Sequence, residues 1–236
     1  KTMLFLRSLL YFIGSIISVI LISSCGIFLI FSSYEVRYRV LSKWAVFCIW
    51  WLKITLNISV KVVGAENISK PPFVIVSNHQ STWETLGFQT ILPPHTWVLK
   101  KELLWIPIFG WAISLIEPIV IDRGDKFKAI KKVIARGKDR LNKGISVVIF
   151  PEGTRQPVSK LGEYQNGAVA IAKGSGCDIL PIYHNAGKLW PKGGFIKKPG
   201  VITVSIGKPM SSSNGSTAEI TDNIRNWTLE QSRNIK

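Results

Sequence analysis

The chain has 236 residues, with 30 Lys and Arg against 14 Asp and Glu, a formal net charge of +16. That length suits one catalytic core with a modest appendage, and the charge favours polyanionic partners: nucleic acid, anionic lipid headgroups or a phosphorylated substrate. A mean hydropathy of +0.24 with nine Trp, and no zinc-finger or single-strand-binding pattern, argues for a membrane surface and against nucleic acid.

Cys25, Cys48 and Cys177 are widely spaced, two of them inside apolar stretches. They read as buried thiols, excluding a disulfide framework and a metal site and leaving a reducing, cytosolic setting unopposed.

Residues 8–33 carry no charge; as a helix rising about 1.5 Å per residue they reach roughly 39 Å, enough to cross a bilayer core. Gly14, Gly26 and the five interior serines Ser15, Ser18, Ser23, Ser24 and Ser32 interrupt the run, and both flanks are basic: Lys1 and Arg7 before it, Arg37, Arg39 and Lys43 after it. The expectation is a helical pair entering one leaflet with residues 44–52, whose Trp44, Trp50 and Trp51 suit the lipid boundary. A single spanning helix, or a signal sequence ending at Ile22-Ser23-Ser24-Cys25, are the other readings of the same stretch. Residues 1–52 are assigned to this anchor and residues 53–236 to a catalytic domain with a C-terminal helix.

From Ile54 the apolar period becomes two, through Leu56, Ile58, Val60 and Val62, which predicts a half-buried strand ended by Gly64. Phe73-Val74-Ile75-Val76 is apolar throughout and reads as an inner strand leading into Ser77-Asn78-His79-Gln80-Ser81-Thr82-Trp83-Glu84. Four residues separate His79 from Glu84, so a bend from loop to helix can bring the carboxylate under the imidazole, fixing its tautomer for base catalysis. Ser81-x-x-Glu84 is equally a capping box, in which Glu84 satisfies a backbone N–H.

Residues 96–99 form another short strand, delivering Lys100-Lys101 to its end; residues 116–121 form the next, ending in Asp122-Arg123. Between Asp125 and Asn142, apolar residues at helical spacing leave a basic face of Lys and Arg. Residues 145–150 are the clearest inner strand and lead into Pro151-Glu152-Gly153-Thr154-Arg155, at the edge where open α/β sheets build sites. A helix over 167–173, strands over 179–183 and 201–206, and a helix capped by Ser216-x-x-Glu219 complete the pattern. His184, just past a strand, reads as structural. Strands alternating with helices predict an α/β domain, a mixed sheet flanked by helices, behind a helical membrane anchor.

The ordered blocks His79-x-x-x-x-Glu84, Ile119 to Arg123, Phe150-Pro151-Glu152-Gly153-Thr154-Arg155 and Ile179-Leu180-Pro181-Ile182 resemble the glycerolipid acyltransferases over about residues 60–210. The family pattern in the first block is H-x-x-x-x-D, and this chain has Glu84 in place of the Asp. By resemblance, His79 is the general base and Glu84 its orienting partner, on the cytoplasmic face of a bacterial inner membrane. Lys101, Arg123 and Arg155 would hold the phosphate of a lysophosphatidic acid, with Glu152 orienting Arg155 or the headgroup, and Gly153 and Thr154 beside them. The co-substrate would be acyl-coenzyme A or acyl-carrier protein, without metal or cofactor. A related acyltransferase acting on a lyso-ornithine lipid or a lipid A precursor, and a non-catalytic basic membrane-surface protein, are the alternatives.

Overall fold

The computed structural model describes residues 2–121 and 126–235. Helix α1 (Thr2–Ser24) passes through a short 3-10 turn into α2 (Tyr34–Leu41) and α3 (Lys43–Leu56). Next come β1 (Ile58–Val63), β2 (Val74–Ser77), α4 (Trp83–Ile91), β3 (His95–Lys100), α5 (Phe109–Ser114) and β4 (Ile119–Ile121). The chain continues through α6 (Lys126–Asn142), β5 (Ser146–Ile149), α7 (Gly167–Ser175), β6 (Ile179–His184), β7 (Gly200–Ile206) and α8 (Thr217–Asn234).

Among the described residues, seven strands form one mixed sheet in the order β1-β7-β6-β2-β5-β3-β4, in which β6 and β7 pair antiparallel and the other strand pairings are parallel. Because side chains alternate faces along a strand, Phe73 and Ile75 join one core with Trp97, Val148, Leu180 and Leu52, while Val74 and Val76 join a second with Val147, Ile149 and Ile171. Helices α3 and α4 cover the first face, and α6, α7 and α8 the second. Burial on both faces is why β2 and β5 read as continuous apolar runs.

Two expectations are corrected. The strand foreseen from Ile54 starts only at Ile58, because α3 runs on to Leu56; the Asn57 N–H closes its last turn onto the Lys53 carbonyl, and the left-handed backbone of Asn57 (φ 52°) then turns the chain out of the helix. Ile54 and Leu56 obey a two-residue period by coincidence with a helical turn. The boundary at residue 52 also falls inside α3, which places Leu52 and Leu56 in the main core.

Helix α1 is long and apolar enough to cross a membrane, and few of its residues are buried against the rest of the fold. Its small residues have a local purpose: Gly14 lies against Trp51, and the indole N–H groups of Trp51 and Trp44 donate to the carbonyls of Leu10 and Ser15 at 3.2 and 3.3 Å. The outer side leaves Phe5, Leu10, Phe12, Ile13, Ile16, Ile17 and Leu21 exposed. A patch of that size on a helix already packed against α3 fits a candidate membrane anchor.

Candidate active site

Strands β2, β5, β3 and β6 run parallel and end at one edge, and the site is built from the loops that leave them there. After β2 the amide of Asn78 extends the ladder by side chain: its Nδ2 donates to the His184 carbonyl at 3.0 Å, and its Oδ1 accepts the His184 N–H at 3.1 Å. The next residue, His79, thereby leaves the sheet at a fixed place.

His79 Nδ1 is hydrogen-bonded to Glu84 Oε2, and the imidazole stacks on Phe150 with ring centroids 4.1 Å apart. Glu84 is fully buried in the first turn of α4. Its other oxygen, Oε1, accepts the backbone N–H groups of Gln80 and Ser81 at 2.6 and 2.5 Å. Both readings of Glu84 therefore hold at once: one oxygen satisfies backbone donors, the other takes the histidine. The box is incomplete, since Ser81 Oγ accepts from Trp83 N–H and donates to the Trp190 carbonyl at 2.7 Å. A buried carboxylate that only accepts fixes the proton on Nδ1 and leaves Nε2 as the free base.

The turn after β5 locks the same histidine from the other side. Glu152 Oε1 accepts the His79 N–H at 2.8 Å, Glu152 Oε2 accepts the Gly162 N–H at 2.9 Å, and the His79 carbonyl accepts the Gln156 N–H at 2.7 Å. Burial pushes the Glu152 carboxyl up, with the two N–H donors working against that. Glu152 is thus committed to the backbone of two loops, one oxygen to each. Gly153 is required by its left-handed φ of 68°, with open space where a Cβ would stand.

His79 opens onto a cavity of about 460 Å³ walled by Phe150, Gly153, Thr154, Arg155, Lys100 and Lys192. A second cavity, of about 250 Å³, is lined mainly by apolar residues of α5 and neighbouring elements, among them Phe109, Ile113 and Ile116. Thr85, Trp97, Leu99, Leu103 and Arg155 border both, so the two spaces adjoin, with Arg155 at their junction.

Among the residues singled out in sequence, His79, Gly153, Thr154 and Arg155 meet at this cavity, with Glu84 behind His79. Lys101 does not: it is exposed at the start of the 3-10 turn after β3, and Lys100 occupies the wall. Arg123 lies outside the described residues. Sequence reading passed over Asn78, Phe150 and Lys192 as site residues. A basic residue in a Trp-Pro-Lys loop was the only signal for Lys192, whose Nζ donates to the Arg155 carbonyl at 3.0 Å.

Residues 59–185 match the family described as Acyltransferase. The chain is 43% identical over 201 residues to a 1-acyl-sn-glycerol-3-phosphate acyltransferase of Pseudomonas aeruginosa, covering 84% of this chain and 78% of that protein. It is 31% identical over 223 residues to the 1-acyl-sn-glycerol-3-phosphate acyltransferase of Saccharomyces cerevisiae, covering 87% and 71%. A crystal structure of the 1-acyl-sn-glycerophosphate acyltransferase from Thermotoga maritima shares the fold, with a TM-score of 0.82 at 23% identity over 98% of this chain and 95% of that one.

Proposed function

Because this chain belongs to the acyltransferase family, we propose that it transfers an acyl chain from a thioester donor to the free hydroxyl of a 1-acyl-glycerol-3-phosphate, giving phosphatidic acid. The observation that carries this reading is His79, with Nδ1 bonded to a buried carboxylate, at a cavity that bears Arg155, Lys100 and Lys192 and adjoins an apolar one. A phosphorylated headgroup and an apolar chain are the two halves of a lysophospholipid, and the cavities match them in kind.

In the reaction, His79 Nε2 takes the hydroxyl proton as the oxygen attacks the thioester carbonyl. The new C–O bond forms, the C–S bond breaks, and the departing thiolate recovers the proton from the imidazolium. Glu84 stabilises that imidazolium through Nδ1–H. A thioester is already activated, so this route asks for no metal or further cofactor, and no Ser or Cys is needed as a covalent nucleophile. Arg155 offers a planar fork to phosphate, with Lys100 and Lys192 adding charge.

The donor is acyl-coenzyme A or acyl-carrier protein, and α1 with α3 seats the protein in one leaflet on the cytoplasmic face of a bacterial inner membrane. Exposed apolar side chains on α1 and Trp50 on α3 support this placement. Purified protein given labelled acyl-coenzyme A or acyl-carrier protein, and a panel of lysolipids, tests the reading. Lysophosphatidic acid should be the preferred acceptor, and transfer to a lyso-ornithine lipid alone would replace it. Absence of transfer to any lysolipid would leave the non-catalytic reading.

A further inference from the structure

Behind Glu84 lies a second histidine with no part in the chemistry above. His184 ends β6, is fully buried, and packs its ring beside Trp83 and Phe88, with centroids 5.9 Å from each. Its Nδ1 accepts the backbone N–H of Ala186 at 3.3 Å. Its Nε2 lies 3.1 Å from the Asn78 carbonyl and 3.3 Å from Glu84 Oε1, both acceptors. A donor on one side and two acceptors on the other admit one neutral tautomer, with the proton on Nε2. Burial acts in the same direction, holding His184 below the ordinary histidine value against the pull of the Glu84 carboxylate.

We propose that His184 is a positioning residue for the acyl transfer: its Nε2–H, held between the Asn78 carbonyl and Glu84 Oε1, fixes the carboxylate so that Oε2 faces His79. This rests on the acyltransferase reading and adds a residue to it. Oε1 then has three N–H dipoles around it, from Gln80, Ser81 and His184, drawn from a loop and from a neighbouring strand. The strand contact matters because the two loop donors lie within four residues of Glu84 in the chain, whereas His184 stands on β6, inside the sheet. Asn78 couples the parts: its side chain holds the His184 backbone, and its main-chain carbonyl holds the His184 ring, one residue before His79. Glu84 also stands where the resembled pattern has Asp, and its side chain is longer by one methylene. The titratable groups facing this imidazole are Glu84 and His79.

Gln and Met are close in length and volume and differ in the N–H they offer. His184→Met should lower kcat about tenfold or more, with the KM for lysophosphatidic acid and for acyl-coenzyme A within about twofold of wild type; His184→Gln should restore most of the loss. Residues acting through one contact are not additive. In a Glu84→Asp background, where the carboxylate is drawn back from β6, adding His184→Met should therefore cost less than about threefold. Equal kcat in the Gln and Met variants, or full multiplication with Glu84→Asp, overturns the proposal. Nitrogen-15 NMR of the wild-type protein in detergent micelles reads the contact without relying on any variant folding, or on activity. His184 should hold its proton on Nε2 across neutral pH, and the Nδ1–H tautomer would sink the assignment even if acyl transfer is intact. Failure of wild-type transfer, with the Nε2–H tautomer observed, would instead count against the reaction.

Discussion

Glu152 Oε1 accepts the backbone N–H of His79 at 2.8 Å, joining positions 73 residues apart in sequence. With Gln156 N–H on the His79 carbonyl, the turn after β5 holds both peptide groups of the histidine, while Glu84 and Phe150 hold its ring. Two distant motifs are thus one device. Glu152→Gln replaces one acceptor oxygen with a donor that must face an N–H, and we expect kcat to fall more than KM for either substrate. Unchanged turnover in this variant would show that the backbone contact is dispensable.

His79→Ala should abolish transfer with the fold retained, since the side chain is partly exposed at the cavity wall. Glu84→Gln should lose both activity and stability, because the amide cannot accept at both ends; the loss of a buried acceptor costs about 1–3 kcal/mol. Glu84→Asp should retain partial activity. Normal turnover per folded molecule in Glu84→Gln, with only the melting temperature lowered, would reduce Glu84 to its capping role.

Arg155→Ala and Lys100→Ala should each raise the KM for lysophosphatidic acid by about tenfold or more, as expected for loss of a charge-assisted contact. Lys101→Ala should change it little, because Lys101 stands outside the cavity. Arg155→Lys should not rescue, lacking the planar fork. If only the acyl-donor constant moves, these side chains serve the donor.

Ile113 lines the apolar cavity but not the one at His79, so it sits away from the reacting atoms. Ile113→Trp should shift preference towards shorter acyl chains by about tenfold in kcat/KM, in line with the discrimination available to an apolar pocket. A uniform fall across chain lengths would place the chain elsewhere.

Burial lowers the His95 imidazole to about 4, with Nδ1 between the Pro93 carbonyl at 2.8 Å and the Tyr38 hydroxyl at 3.1 Å. A depressed folded value means that stability is present above the unfolded value of about 6.5 and lost as pH falls towards 4. The loss amounts to roughly 3 kcal/mol from this group. Melting temperature should therefore drop across that window, and His95→Gln should make the slope shallower. An identical slope in the variant would assign the acid sensitivity to other groups.

The one-leaflet placement is tested by Thr2→Cys in a variant lacking Cys25, Cys48 and Cys177. Protection from an impermeant maleimide in intact cells, lifted when the membrane is opened, is the expected outcome. Labelling from outside would indicate a spanning helix.

The sequence by itself determined the layered α/β plan, because runs such as Val74-Ile75-Val76 and Ser146-Val147-Val148-Ile149 state their own burial and the turns between them their own ends. It also put His79 and Glu84 within reach of each other, leaving base catalysis and helix capping both open, and determined the α8 start, where Ser216 and Glu219 form the expected capping box. The tertiary structure decided everything that depends on strand order. Placing β2 between β5 and β6 brings Glu152 onto the His79 backbone and His184 against Glu84, contacts made by segments over 70 and about 100 residues away in sequence. It decided between Lys100 and Lys101 too, since adjacent residues leaving a strand diverge, and only the path of the next turn fixes which one meets the cavity. A short-range pattern carries local hydrogen bonds and periodicity; which loops share an edge is set by the pairing of strands, and no window of sequence contains that.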